Sequence, residues 1–318
     1  MTARAPLPPA LARAAFGVDE LLDAGLPWDR TRAADLHRIW RGVYTAADPA
    51  ALTWDRAAAL CRVTGGVISH TTAAAWHGIP LPRRLEASEE LHLTVDRGRR
   101  QHRSARPGVV THRLRLPPQE IRQVGGGLRV TSPERTWLDL AVLLRPWELD
   151  WLVVAGDHLV HHPWHPDGRR PSATTPALLD AALGRHVGRH GIRRAREALA
   201  DVRVGADSAP ETRLRLALIR AGLPEPALQI AVDPSDPRSP EADLGYRDAR
   251  IALQYDGAAH RTPEQQARDA RREAYCLELD WLPLRCTQED LREGFIRVIG
   301  LVRRRLGPRG AFGATSRR

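Results

Sequence analysis

EADLGYRDARIALQYDGAAH, residues 241–260, decides how the C-terminal third of the chain folds. Two β-prone runs, EADLGY and IALQYD, flank a short charged turn. With Asp248 and Ala249 as a two-residue loop, Asp243 falls opposite Gln254. Directly opposed residues share a face, with Cβ atoms about 5 Å apart. Alternation along the strand puts Asp256 on the same face as Gln254. Ile251, Leu253 and Tyr255 then turn to the other face, into a core, and a one-residue slip would exchange the two sets. Two carboxylates and an amide on one face repel unless a cation or a shared proton relieves them. Mg²⁺ (or Mn²⁺) takes one or two carboxylates together with waters and phosphate oxygens, so the patch suits such an ion. An ion held there polarises a phosphodiester and activates a water. His260, just past Gly257, is placed to orient or deprotonate that water, or is an ordinary loop histidine.

The flanking segments extend the pattern. In SAPETRLRLALIRAGLPEP, Ser208 followed three residues later by Glu211 forms a capping box at a helix start, and Gly222 ends the helix. Glu211 therefore has two readings, a cap for Ser208 or a carboxylate facing a metal. After the hairpin, Thr262, Pro263 and Gln265 open another helix, on which Asp269 and Arg272 stand three residues apart. Arg268, Arg271 and Arg272 on this helix suit a backbone of phosphates beside the acidic patch. Trp281, Leu282 and Leu284 make the next strand, with Arg285 near its end. Residues 207–306 thus read as helix, strand, hairpin, helix, strand, helix.

Upstream, residues 1–50 read as short helix, turn, helix and a β-wing around Arg41–Gly42, the outline of a winged helix-turn-helix. Asp29 is the expected cap of its second helix. Such a module lays a helix in the major groove or packs against protein. Residues 51–165 mix helices and strands: DRAAALCRV, VISHTTAAAWHGI and TSPERTWLDLAVLL as helices, ELHLTV and VVTHRLRL as alternating strands. Between the two strands, RGRRQHRSARPG is a basic loop whose Arg99, Arg100 and Arg103 either track phosphates or stand in solvent. Residues 166–206 are a linker and helix, and 307–318 a disordered tail. In the His-rich stretch from Asp157 to Asp167, Pro163 and Pro166 break any helix, which argues against a metal there.

The chain has 318 residues, a formal net charge of +10 and 48 basic residues, all of them Arg. A GC-rich genome accounts for the choice of Arg but not for the sign of the balance, and a basic protein accumulates on polyanions, DNA first among them. The apolar runs are too short to span a bilayer, no secretory signal is legible, and three scattered cysteines form no disulfide framework or zinc knuckle. A cytoplasmic protein with no membrane association is expected.

The spaced pattern SxxETRLRxxLxxAGLPxP, ADLGY, IALQYDGxxH, QxxxDxxRxxxL and WxxLRxT resembles the very-short-patch-repair-like endonuclease domains of the PD-(D/E)XK superfamily. The front of the chain, with VISHTTAAAWHGI and VTSPERTWLDLA, resembles the abortive-infection type IV antitoxin family. The resemblance implies an α/β (α+β) multidomain protein: a winged helix, a mixed α/β middle, and a restriction-endonuclease-like mixed sheet flanked by helices. It implies that Asp243 is the metal-binding aspartate and Glu211 the helix-borne acid. Asp256 and His260 match the D-G-x-x-H end of the second strand, and Asp269 an acidic position in the following helix. Gln254 departs from the usual Glu, and no Lys completes E-x-K. The implied activity is Mg²⁺-dependent DNA cleavage, in repair or defence, with a possible toxin or defence-operon partner. The alternatives are a non-catalytic DNA-binding regulator of antitoxin type on a degenerate nuclease fold, and a protein-interaction module.

Overall fold

The computed structural model describes residues 5–48, 53–98, 106–257 and 263–310. The fold is mixed α/β with three sheets among the described residues. The chain divides into two compact units, Met1–Arg145 with Ala181–Ala195, and Pro146–Asp180 with Arg196–Arg318. No helix among the described residues is long and apolar enough to cross a membrane.

In the first unit, Phe16–Gly17 (β1), His37–Trp40 (β2) and Val43–Thr45 (β3) form an antiparallel sheet in the order β1-β3-β2. The β2–β3 hairpin turns at Arg41–Gly42, where Gly42 takes φ 81°, a left-handed conformation only glycine adopts cheaply. The first expected helix is Val18–Asp23. The second is not an α-helix: Trp28–Arg32 is a single 3-10 segment, and Asp29 does not cap it. Pro27 occupies the cap position and offers no side-chain acceptor. Arg30 is instead drawn into a two-pronged pair with Asp35, at 2.8 and 2.7 Å.

The second sheet of this unit comprises Val67–Ile68 (β4), Leu91–Val95 (β5), Val109–Arg113 (β6), Ile121–Gln123 (β7) and Arg129–Thr131 (β8), in the order β6-β5-β4-β8-β7. The helix Thr53–Thr64 lays Ala57, Leu60 and Cys61 against Ile68, Leu93 and Val130. Ser132 accepts the Arg135 N–H and Pro133 opens the helix Pro133–Leu143, the start its sequence dictates. On that helix Arg135 is buried and binds Glu120 at 2.7 Å and Asp139 at 3.0 Å.

The second unit is built on Ala227–Ala231 (β9), Glu241–Tyr246 (β10), Ile251–Asp256 (β11) and Leu282–Thr287 (β12), in the order β12-β11-β10-β9. β12 runs parallel to β11 and the other pairs are antiparallel. One face packs Leu244, Tyr246, Ile251, Leu253 and Leu284 under Leu214 and Leu218 of the helix Ala209–Arg220 and Phe295, Val298 and Val302 of the C-terminal segment. The other face packs Ile230, Ala242 and Ala252 under Cys276 of the helix Pro263–Glu278. Gly245 is required by space: an added Cβ would lie 2.3 Å from the Ile251 carbonyl oxygen and 2.4 Å from Ile230 Cδ1. Asp157, on the helix Leu149–Val160, is buried rather than exposed beside the histidine-rich stretch. It accepts from Arg215 (2.8 Å), Thr212 (2.9 Å) and the Arg203 N–H (2.7 Å).

Candidate functional site

The hairpin adopts the register its sequence dictates. Leu244 pairs with Leu253, Gly245 with Ala252 and Tyr246 with Ile251. The turn closes through the Arg250 N–H to the Arg247 carbonyl at 3.0 Å, leaving Asp248 and Ala249 as its central residues. Main-chain bridging between β10 and β11 stops at Leu244–Leu253. One step further on, the Asp243 side chain takes over. Its Oδ2 accepts the Tyr255 N–H at 2.8 Å and its Oδ1 accepts from Gln254 Nε2 at 2.5 Å. Gln254 Oε1 is buried without a hydrogen-bond partner.

Glu211 sits at the start of its helix, buried, where its carboxylate accepts from Ser208 Oγ (2.7 Å) and the Asp207 N–H (2.9 Å). The capping box is therefore real. It does not exhaust the residue: burial first, and then the charge of Asp243, push the Glu211 carboxyl up to about 7. Burial also raises Asp243, against the hydrogen bonds from Tyr255 and Gln254. Two carboxyls that hold protons this strongly are a place where a cation gains affinity.

Asp256 follows Gln254 on β11 and lines a cleft of about 400 Å³ with Gln254, Asp269, Arg272, Glu273 and Arg285. The parallel pairing of β12 sets Arg285 beside Gln254. Asp269 lies 4.0 Å from Arg285 across the cleft. A second cleft, of about 500 Å³, is lined by Arg238, Arg268, Arg271 and Tyr275 and shares Pro240, Asp269 and Arg272 with the first. The acidic patch thus opens directly onto a basic groove.

Gln254, Asp256, Asp269, Arg272 and Arg285 converge on the first cleft, Arg268 and Arg271 on the adjoining one, and Asp243 and Glu211 stand at the end of the hairpin pairing. Glu211, Asp243 and Asp256 do not bring three ligand atoms within 4.8 Å of one another. His260, Arg99, Arg100 and Arg103 lie outside the described residues. Glu273 also lines the cleft and was not singled out from the sequence, although it stands one helical turn from Asp269, a legible spacing.

No known family profile matches the chain, and no solved structure matches it. Two curated proteins of Mycobacterium tuberculosis do: Uncharacterized protein Rv2248, from strain H37Rv, and Uncharacterized protein MT2308, from strain CDC 1551. Each is 30% identical over 275 residues, spanning 85% of this chain and 92% of the relative.

Proposed function

We propose a function for a chain that belongs to one family with the mycobacterial proteins Rv2248 and MT2308: DNA cleavage by phosphodiester hydrolysis, dependent on a divalent cation, in a restriction-endonuclease-like second unit of the PD-(D/E)XK kind. The observation that carries this reading is the Asp243–Gln254 contact where the hairpin ladder ends, beside a cleft that holds Asp256 and joins a groove of arginines. The residues fit Mg²⁺ or Mn²⁺ sparsely rather than as a closed cage. The donors on hand are the Asp243 carboxylate and the Gln254 Oε1 that has no partner, with Glu211 and Asp256 nearby in the fold. One or two carboxylates with waters and phosphate oxygens satisfy Mg²⁺.

Bound there, the cation would supply Lewis acidity to a phosphoryl oxygen and lower the pKa of a water. Asp243 is held in place by the Tyr255 N–H, so it need not reorganise to act as a ligand. Arg268, Arg271 and Arg272 grip phosphates on either side of the scissile bond. Glu211, with its carboxyl near 7, accepts or releases a proton close to neutral pH. His260 is the proposed base or water-positioning residue. The winged-helix-like segment and the Arg-rich loop of the first unit would position DNA, in a protein of the cytoplasm that acts alone or with a toxin or defence-operon partner.

A second reading, a DNA-binding regulator of antitoxin type on a degenerate nuclease fold, is favoured by one feature. Both Asp243 oxygens already accept hydrogen bonds, as a purely structural aspartate would. Supercoiled plasmid separates the two. Nicking with Mg²⁺ or Mn²⁺ that EDTA and Asp243→Asn both abolish supports hydrolysis. Salt-dependent binding without nicking supports the regulator, and no DNA affinity at all removes both.

A further inference from the structure

Three histidines with no part in the proposed hydrolysis meet in the first unit. His92 on β5 and His112 on β6 lie on one face of the sheet, because His92 pairs with Val110 and Thr94 with His112 in the parallel ladder. His70 opens the helix His70–Trp76 just after β4, and the Ser69 N–H is tied to the His92 carbonyl at 3.0 Å. One ring nitrogen from each of the three lies within 4.8 Å of the others. This is the only such group of His, Cys, Asp or Glu among the described residues.

Their surroundings suit a metal better than a core. His70 is 2% exposed and His92 7%. Burial pushes His70 down to about 3 and His112 down to about 4, and lowers His92. All three are therefore neutral near pH 7, the form that ligates. His92 Nδ1 and His112 Nε2 stand 3.0 Å apart, close to the roughly 3.3 Å edge that a tetrahedron of Zn–N bonds of about 2.0–2.1 Å requires. The rings of His70 and His112 stack, with centroids 3.6 Å apart.

A fourth residue supplies an independent sign. Asp139 is fully buried, and its Oδ1 accepts from Arg135 and Arg189. Its Oδ2 has no hydrogen-bond partner and lies 3.8 Å from His70 Nδ1, which is also 2.9 Å from Ser69 Oγ. Metal-bound imidazoles characteristically donate their second N–H to such a carboxylate or hydroxyl. With Nδ1 occupied in this way, Nε2 of His70 is the ligating atom. His70 also holds φ 52°, a left-handed conformation that a non-glycine residue keeps only when its surroundings dictate it.

We propose that His70, His92 and His112 bind one zinc ion, with Asp139 orienting His70 from the outer shell. Three imidazoles leave the fourth tetrahedral position for a water or a small exchangeable anion. The ion joins the start of one helix to two strands that are otherwise linked only through the sheet.

The test uses full-length protein purified without a metal-chelating tag, stripped with EDTA and titrated separately with Zn²⁺ and Co²⁺. One equivalent of each per chain is expected, with the strong visible absorption of four-coordinate Co²⁺ and a melting temperature raised by zinc. Asp139→Asn should weaken zinc binding by about 10–100-fold, and His92→Ala with His112→Ala should abolish the cobalt spectrum. Wild-type protein that takes up neither ion overturns the proposal, whether or not the variants fold. So does a six-coordinate cobalt spectrum, or a double-histidine variant that keeps the full spectrum.

Discussion

Replacing Asp243 by asparagine separates the fold of the hairpin from its chemistry. The Asp243 carboxylate satisfies two donors, the Tyr255 N–H at 2.8 Å and Gln254 Nε2 at 2.5 Å. An asparagine keeps a carbonyl oxygen for Tyr255 and turns its amino group to Gln254, whose Oε1 lacks a partner. The weaker neutral acceptor is offset by removal of a charge whose burial raises its pKa. The change in unfolding free energy should stay within about 1 kcal/mol. Asp243→Ala removes both acceptors and leaves the Tyr255 N–H unpaired, at a cost of about 1–3 kcal/mol. Urea unfolding measures both, and hydrogen exchange at the Tyr255 amide localises the loss. Removal of the Asp243 charge should also lower the Glu211 carboxyl from about 7, though not to its ordinary value, because burial is the larger cause; carboxyl NMR titration reads this directly. An asparagine variant as unstable as the alanine variant, or a Glu211 titration that does not move, would refute this reasoning.

Gly245→Ala should destabilise the second unit by about 1–3 kcal/mol or prevent its folding, since the new methyl meets backbone at 2.3 Å; thermal unfolding checks it. Arg215→Ala strands the buried Asp157 carboxylate and should cost about 3–5 kcal/mol, more at alkaline than at acid pH, because a protonated Asp157 needs no partner. Asp290 is held below the usual carboxylate range chiefly by its hydrogen bond from Arg297. Its stabilisation is therefore present above the ordinary carboxyl pKa and lost as pH falls through the depressed one. Asp290→Asn should be less stable than wild type near neutrality, the gap closing in acid denaturation series. Arg268→Ala and Arg272→Ala should each weaken DNA binding at every sequence and reduce the slope of log affinity against log salt by about 1, read by titration at several ionic strengths.

Much of the hairpin was legible because local rules agree there. A two-residue turn at Asp248–Ala249 fixes the register, alternation fixes which side chains meet the core, and both predict the Asp243–Gln254 contact. The starts at Ser132 and Ser208 were legible for the same reason: a capping oxygen and a following N–H are close in sequence. The expected helix after Asp29 failed because Pro27 and the Arg30–Asp35 pair outweigh a weak local signal. The end of the β10–β11 ladder at Leu244 was not legible, since nothing in alternation marks where main-chain bridging gives way to a side-chain acceptor. The histidine cluster was hidden for a different reason. His70, His92 and His112 come from a helix start and two strands, each preceded and followed by ordinary core residues, and only the sheet order of the first unit brings them together.

Anomalous scattering from a crystal of the full-length protein grown with Mn²⁺ addresses the proposed hydrolytic site most directly. A divalent cation gripped at the end of the hairpin ladder predicts a manganese peak about 2.1 Å from an Asp243 oxygen, with Gln254 Oε1 turned toward it. Density with no manganese there, and Asp243 still satisfied only by Tyr255 and Gln254, would contradict it.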